Sequence, residues 1–366
     1  MNFYMPVRVY TGENSFCQHR EELRALGRRC LIVTGASSAK KCGALDDADK
    51  ALSAAGIEYR LYDRIAQNPT LCSCMEAGQL AHAFGADFVL GIGGGSAMDS
   101  AKTASVFAAN PDLNEADFYD KKWANAPLPI VLIGTTSGTG SEVTNVAVLT
   151  DSKQRKHSIH DDRMYAALSF GDPKYTLTLP AAVTLSTGID VLAHAAESYF
   201  SKKANEISRA FSIRAISLLL PPLKAAAEGC TLTAEQRAEL YEASILGGLA
   251  ICVTGTVFAH NVGYYLTETY HIPHGTASAA FLPELLEHAE KSDCSYTEKF
   301  YTALGINKSE LLSTIAVAMP TLPVCMTADE IEAALPRWEN NNSVINTVGT
   351  VTTDDICRIL TEKFVQ

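Results

Sequence analysis

Phe88-Val89-Leu90-Gly91-Ile92-Gly93-Gly94-Gly95-Ser96-Ala97-Met98-Asp99-Ser100-Ala101-Lys102 decides the fold of this chain: an apolar run, three consecutive glycines, then a helical pattern. A buried strand feeding a glycine turn and a helix start is the unit from which parallel sheets with crossover helices are built. It also leaves bare backbone N–H groups at the positive end of a helix, where a pyrophosphate can approach without obstruction by side chains. The run is neither GxGxxG nor GxxxxGK[ST], so the usual nucleotide fingerprints do not apply. Taken alone, it reads either as a phosphate cradle or as a tight structural turn with Ser96 as helix N-cap.

Outward from this segment, the first half of the chain alternates short apolar runs with longer helical patterns. Strands are expected at residues 31–34, 58–62, 88–92 and 130–133, and helices at 44–55, 71–84 and 97–108, where apolar residues recur every three or four positions. Val7 and Val9, alternating with polar neighbours, predict a further edge strand. From about Pro180 strand signals cease, and alanine- and leucine-rich helical patterns run almost to the end. Breaks at Pro221-Pro222, Pro273, Pro283, Pro320, Pro323 and Pro336 divide this half into six to eight expected helices. The expected organisation is an α/β dinucleotide-binding domain with a Rossmann-like parallel sheet (residues 1–179) followed by an all-α domain (180–366).

Composition narrows the class of protein. With 366 residues, 47% hydrophobic and 19% charged, the chain can bury two good-sized cores. The net charge of −11 comes from dispersed acids, and no basic tract offers a grip on a phosphate backbone, so nucleic acid is not an expected partner. No basic start leads into an apolar run, and no stretch of about 18 uncharged apolar residues occurs, so neither secretion nor membrane insertion is expected. The ten cysteines are scattered singly apart from Cys72 and Cys74, which fits reduced thiols in a cytoplasm better than a disulfide framework.

Two further clusters carry chemistry. Gly134-Thr135-Thr136-Ser137-Gly138-Thr139-Gly140-Ser141-Glu142 follows an expected strand, and hydroxyls and glycines at the carboxyl end of a strand are where open α/β sheets collect ligands. Two such loops together strengthen the case for a dinucleotide. In the helical half, Asp190 and His194 stand four residues apart and project from one helix face. His260 lies in another helical stretch, and His274 follows Pro273 in a turn. One carboxylate and three imidazoles suit iron or zinc, yet alone Asp190 reads as a helix cap or surface acid, His194 and His260 as core histidines and His274 as a loop residue. Nothing in the spacing joins the first pair to the second.

A resemblance supplies that link. GGGSAMDSAK, TTSGTGSEVT, STGIDVLAHAAE and AHNVGYYLTETYHIPHG, in this order, resemble the signature stretches of the iron-containing alcohol dehydrogenases, a family with dehydroquinate synthase-like architecture. The resemblance covers almost the whole chain. It implies an N-terminal domain for the nicotinamide cofactor and a helical domain for the metal, with Asp190, His194, His260 and His274 as ligands to Fe²⁺, zinc being an alternative. It further implies cofactor contacts at Gly94, Gly95 and Ser96, at Asp99 beside them, at Thr135, Thr136 and Thr139, and at Asn68. After the first Rossmann strand the family's NAD-preferring members often carry an acid; here stand Gly35, Ser37, Ser38, Lys40 and Lys41, which could bind a 2′-phosphate, so NADP(H) is expected over NAD(H). Where many members have another histidine, four residues beyond the position of His260, this sequence has Tyr264. A phenol titrates near about pH 10 and is a poor base at neutral pH, so the proton relay is expected to use water and the cofactor ribose, with His271 as a substitute and Tyr264 as a further candidate. The reaction implied is hydride transfer between NAD(P)(H) and a small primary alcohol or aldehyde, by a homodimer or larger homo-oligomer. A dehydroquinate synthase-like lyase and a non-catalytic dinucleotide- and metal-binding protein are the rival readings.

Overall fold

The computed structural model describes residues 3–365. Eight strands occur in it: β1 (Arg8–Thr11), β2 (Arg29–Gly35), β3 (Glu58–Ile65), β4 (Phe88–Gly93), β5 (Ile130–Gly134), β6 (Val146–Thr150), β7 (Lys156–His160) and β8 (Leu168–Gly171). Six form one all-parallel sheet in the order β1-β8-β5-β4-β2-β3. Its central strands are buried along their whole length, as expected for a parallel sheet covered on both faces. The expected helices are present at Ala44–Ala55, Leu71–Phe84 and Gly95–Ala109, and β1 is the edge strand foreseen at Val7 and Val9. Three strands were not anticipated. β8 is only four residues long, and β6 and β7 form a separate antiparallel ribbon whose alternation is easily lost behind the glycine-rich loop.

The strand order also fixes where ligands collect. The chain passes from β2 outward to β3, then returns across β2 to β4, so the topological switch point lies between the carboxyl ends of β2 and β4. The loop after β5 begins beside the glycine turn: Gly93 pairs with Gly134, and Thr135 N–H donates to the Gly93 carbonyl at 2.9 Å.

After Pro180 the described residues contain eleven α-helices and no strand, more helices than the six to eight expected. Several breaks lack proline: a single residue, Asp293, separates Leu282–Ser292 from Cys294–Leu304 and caps the latter through its side chain. Conversely, Pro221 and Pro222 break nothing and lie inside Glu206–Ala227. Leu219 and Leu223 of that helix pack where a Cβ on Gly188 would stand, so burial against the helix Ala181–Tyr199 outweighs the two lost backbone hydrogen bonds. Pro283 and Pro336 each open a helical segment, where a missing N–H costs nothing. By length and apolar composition Glu206–Ala227 could also cross a membrane, but it carries Glu206, Arg209, Arg214 and Lys224 and buries only one face, with Ala215, Ile216, Leu219, Pro222 and Leu223, within the protein.

The chain divides into two compact units, one comprising Tyr4–Pro180 with Thr233–Tyr241, the other Ala181–Leu232 with residues 242–365 and Phe3. In the first unit Tyr241 lies over the carboxyl ends of β5 and β8, where side chains on Gly134 or Gly171 would overlap its ring. Its hydroxyl donates to Glu142 Oε1 at 2.7 Å, and Glu142 is fully buried. Burial pushes the Glu142 carboxyl above its ordinary range, and the Tyr241 hydrogen bond and nearby Lys102 only partly oppose this. An acid whose folded pKa is raised binds its proton more tightly when folded, so stability is greatest below the unfolded pKa and falls as pH rises through the folded value. Wild type should therefore lose stability relative to Glu142→Gln as pH rises above the ordinary glutamate range, about 4.3. Denaturant melts at several pH values measure this, and a difference independent of pH would contradict it.

Candidate metal centre and cofactor loops

The helix Ala181–Tyr199 is buried continuously from Ile189 to Tyr199, so its polar residues in that stretch face protein on every side. Asp190 and His194 lie four residues apart on it, as expected. His260 comes from Phe258–Tyr270, and His274 is the first residue of the short helix His274–Ala279. All three imidazole Nε2 atoms converge on Asp190 Oδ1: His260 at 3.6 Å, His194 at 3.8 Å and His274 at 3.9 Å. The donor atoms of Asp190, His260 and His274 lie within 4.8 Å of one another. Ligands about 2.0–2.2 Å from a shared divalent ion stand roughly 3.3–3.6 Å apart in a tetrahedral shell, so this slightly wider set has the chemistry and spacing to hold iron or zinc. His274, 26% exposed while the other three are nearly sealed, marks the open flank.

Glycines make this convergence possible. A Cβ on Gly275, next to His274, would meet the Ser186 carbonyl and lie 2.6 Å from Asp190 Cβ, and one on Gly263 would lie 2.8 Å from the Ala277 backbone. The helices carrying the three histidines therefore approach nearly backbone to backbone.

The sequence reading did not single out Glu197. It stands on the same helix, three residues beyond His194 and seven beyond Asp190, and is fully buried. Its Oε1 lies 2.5 Å from His260 Nδ1, and its Oε2 accepts Val257 N–H at 2.7 Å and His260 N–H at 3.4 Å. The 190, 194, 197 spacing on one helix face was the available signal. Tyr264 stacks on His274 with ring centroids 5.4 Å apart. His271 is not brought to the cluster: it is the exposed C-cap of Phe258–Tyr270, held at φ 55°.

In the other unit, Gly93 (φ +152°) makes the turn into the helix Gly95–Ala109, where a Cβ would lie 2.7 Å from Ala97 Cβ. Gly94, not Ser96, is the N-cap, and it has no side chain to offer; the alternative reading of a Ser96 cap is thus overturned. Cβ atoms on Gly94 and Gly95 would meet Thr136 and Thr139, which brings the two expected loops side by side. Asp99 is already engaged, accepting from Ser141 Oγ at 2.6 Å and Val148 N–H at 2.9 Å. Fully buried Lys102 donates to the same Ser141 hydroxyl at 2.7 Å. Asp99 and Lys102 thus tie the second loop and the β6–β7 ribbon to the first. Asn68 (φ 55°) turns the chain beside β6, its carbonyl accepting from Thr150 Oγ1 at 3.4 Å. Gly35 ends β2, and Ser37, Ser38, Lys40 and Lys41 are exposed just beyond it, with no ion pair to either lysine among the described residues.

A dinucleotide loop pair on a parallel sheet and a one-aspartate, three-histidine cluster in a helical unit define a class of nicotinamide- and metal-using oxidoreductases. Comparison with known proteins gives the family. Residues 6–173 match the iron-containing alcohol dehydrogenase family and residues 184–338 match the C-terminal part of the Fe-containing alcohol dehydrogenases. The chain belongs to the iron-containing alcohol dehydrogenase family, oxidoreductases acting on CH–OH groups, and has its dehydroquinate synthase-like fold. It is 34% identical to long-chain-alcohol dehydrogenase 1 of Geobacillus thermodenitrificans, over 84% of this chain and 78% of that one. It is 36% identical to the sulfoacetaldehyde reductase of Bilophila wadsworthia, over 76% and 72% respectively. An iron-containing alcohol dehydrogenase from Thermotoga maritima superimposes with a TM-score of 0.91 at 35% identity, covering 99% of each chain. The sulfoacetaldehyde reductase of Bifidobacterium kashiwanohense, solved with NAD⁺, does so with a TM-score of 0.88 at 25% identity, covering 99% of each.

Gly275→Ala should disturb this cluster without touching a donor atom. The added methyl meets a backbone carbonyl that cannot rotate away, and overpacking of this kind costs roughly 1–3 kcal/mol. A lower thermal midpoint in the metal-free protein is the expected result, and an unchanged midpoint would show that the two helices separate freely.

Proposed function

We propose that this protein is a metal-dependent alcohol dehydrogenase or aldehyde reductase that uses NADP(H) in preference to NAD(H) and acts on a small primary alcohol or aldehyde. In this reading residues 1–179 serve the cofactor, and residues 180–366 serve the metal and the substrate. The convergence of three imidazole Nε2 atoms on Asp190 Oδ1 carries it. Asp190, His194, His260 and His274 would hold Fe²⁺, or Zn²⁺ in its place. When bound, the ion supplies Lewis-acid polarisation of a carbonyl or alcohol oxygen, and the nicotinamide supplies or accepts the hydride.

The rest falls to the chain's own groups. Gly94, Gly95 and Ser96 present backbone N–H groups at a helix start to the pyrophosphate, while Thr135, Thr136 and Thr139 line the adjacent loop and Asn68 the approach near β6. Asp99 acts by holding Ser141 in place. Gly35, Ser37, Ser38, Lys40 and Lys41 form the 2′-phosphate site: no carboxylate stands among them, and both ammonium groups are exposed. Tyr264 would pass a proton to or from a substrate oxygen, with water completing the path, a role supported by its stacking on His274 at the open flank; exposed His271 is the weaker candidate. A cytoplasmic homodimer or larger homo-oligomer belongs to the same reading, supported by ten free cysteines and the open edge of β1.

Protein loaded with Fe²⁺ in the absence of oxygen should oxidise NADPH faster than NADH in the presence of short aldehydes, and a chelator should abolish the reaction. His274→Ala should lose both metal and turnover while still binding cofactor; full activity in a metal-analysed sample would remove His274 from the ligand set. Replacing Lys40 and Lys41 together with alanine should raise the KM for NADPH about tenfold or more, since charged hydrogen bonds contribute roughly 1.5–3 kcal/mol each, and leave that for NADH nearly unchanged. Equal effects on both cofactors would place the 2′-phosphate elsewhere.

A further inference from the structure

Glu197 is a fully buried carboxyl group that the reaction itself does not use, and its two oxygens do different things. Oε2 accepts the Val257 and His260 backbone N–H groups at 2.7 and 3.4 Å. These open the helix Phe258–Tyr270, whose N-cap residue is a valine with no capping side chain. An acceptor is needed there because the first N–H groups of a helix have no partner within it. Oε1 lies 2.5 Å from His260 Nδ1. A neutral imidazole carries its proton on only one nitrogen, and the partner of one nitrogen sets the state of the other.

We infer that Glu197 is a positioning residue for the metal, holding the His260 proton on Nδ1 so that the Nε2 lone pair faces Asp190 Oδ1. This rests on the reading of Asp190, His194, His260 and His274 as the ligand set. The arrangement is physically economical. One buried carboxylate fixes the start of the helix, the orientation of the ring through the His260 main chain and side chain together, and the tautomer of the ring. Outer carboxylates of this kind raise the basicity of a ligating histidine, and their removal typically costs 10–100-fold in metal affinity.

A helix cap alone would have a different signature. In Glu197→Gln the amide oxygen can still accept from Val257 N–H, so capping survives, but the amide N–H group then points at His260 Nδ1 and drives the proton to Nε2, where no ion can bind. Metal-free wild type, Glu197→Gln and His274→Ala are titrated with Zn²⁺ in competition with a chelating indicator, and thermal midpoints are recorded before metal addition. The expected result is a 10–100-fold weaker Zn²⁺ affinity for Glu197→Gln with a midpoint close to wild type, and loss of binding for His274→Ala. If His274→Ala binds Zn²⁺ as wild type does, the ligand set itself is wrong and the inference falls with it. If His274→Ala loses the ion while folded Glu197→Gln keeps wild-type affinity, the ligand set stands and Glu197 is only a cap. Should Glu197→Gln fail to fold, histidine ¹⁵N spectra of the metal-free wild type decide, with His260 assigned by its absence in His260→Gln. A proton on Nδ1 supports the inference, and one on Nε2 overturns it.

Discussion

Two carboxyl groups are buried on one helix, and the helical unit is built around satisfying them. An isolated buried charge costs many kcal/mol unless it is paired and hydrogen-bonded; Glu197 is answered by hydrogen-bond donors, while Asp190 faces imidazole nitrogens that together with it can hold a cation. Asp190 is met by three imidazoles from three helices. Glu197 is met by the main chain and the ring of His260. These demands fix the places of Phe258–Tyr270 and His274–Ala279 against Ala181–Tyr199, and Gly263 and Gly275 remove the side chains that would hold them apart. A cation among the donors would complete the balance of charge.

The sheet unit solves the opposite problem, since its ligand brings negative charge. Backbone N–H groups at the start of Gly95–Ala109 are left bare by the glycine turn. The loop after β5 is pressed against that turn closely enough that a Cβ on Gly94 or Gly95 would crowd Thr136 or Thr139. Asp99 and buried Lys102 hold the same Ser141 hydroxyl from the helix, which ties the second loop to the element that follows the first. Preorganisation of this kind lowers the ordering cost of binding a flexible dinucleotide.

Much of this was legible from residues alone. The strand–glycine–helix unit at Phe88 to Lys102 named the sheet class, because a parallel strand buried on both faces must be continuously apolar and the turn after it must be glycine. Helical periodicity located the sheet-flanking helices to within two residues. The prolines misled in the second half. Pro221 and Pro222 sit within a helix because packing against Ala181–Tyr199 outweighs the missing hydrogen bonds, whereas Asp293 ends a helix without proline by capping the next one. Local sequence registers backbone chemistry and does not register what lies across the core.

The same limit applies to the site. Composition and spacing determined the two kinds of half, the phosphate-cradle form of the first, and the shared helix face of Asp190 and His194. Only the tertiary structure joined that pair to His260 and His274, which lie 66 and 80 residues beyond His194 in the numbering, because convergence of side chains depends on how helices pack and not on how far apart they are in the chain. It alone separated Tyr264, stacked on His274, from exposed His271, and revealed that Glu197, which reads in sequence as an ordinary helix acid, is sealed against His260. Burial and partnership are properties of packed surfaces, and a single chain's order of residues carries them only through the fold.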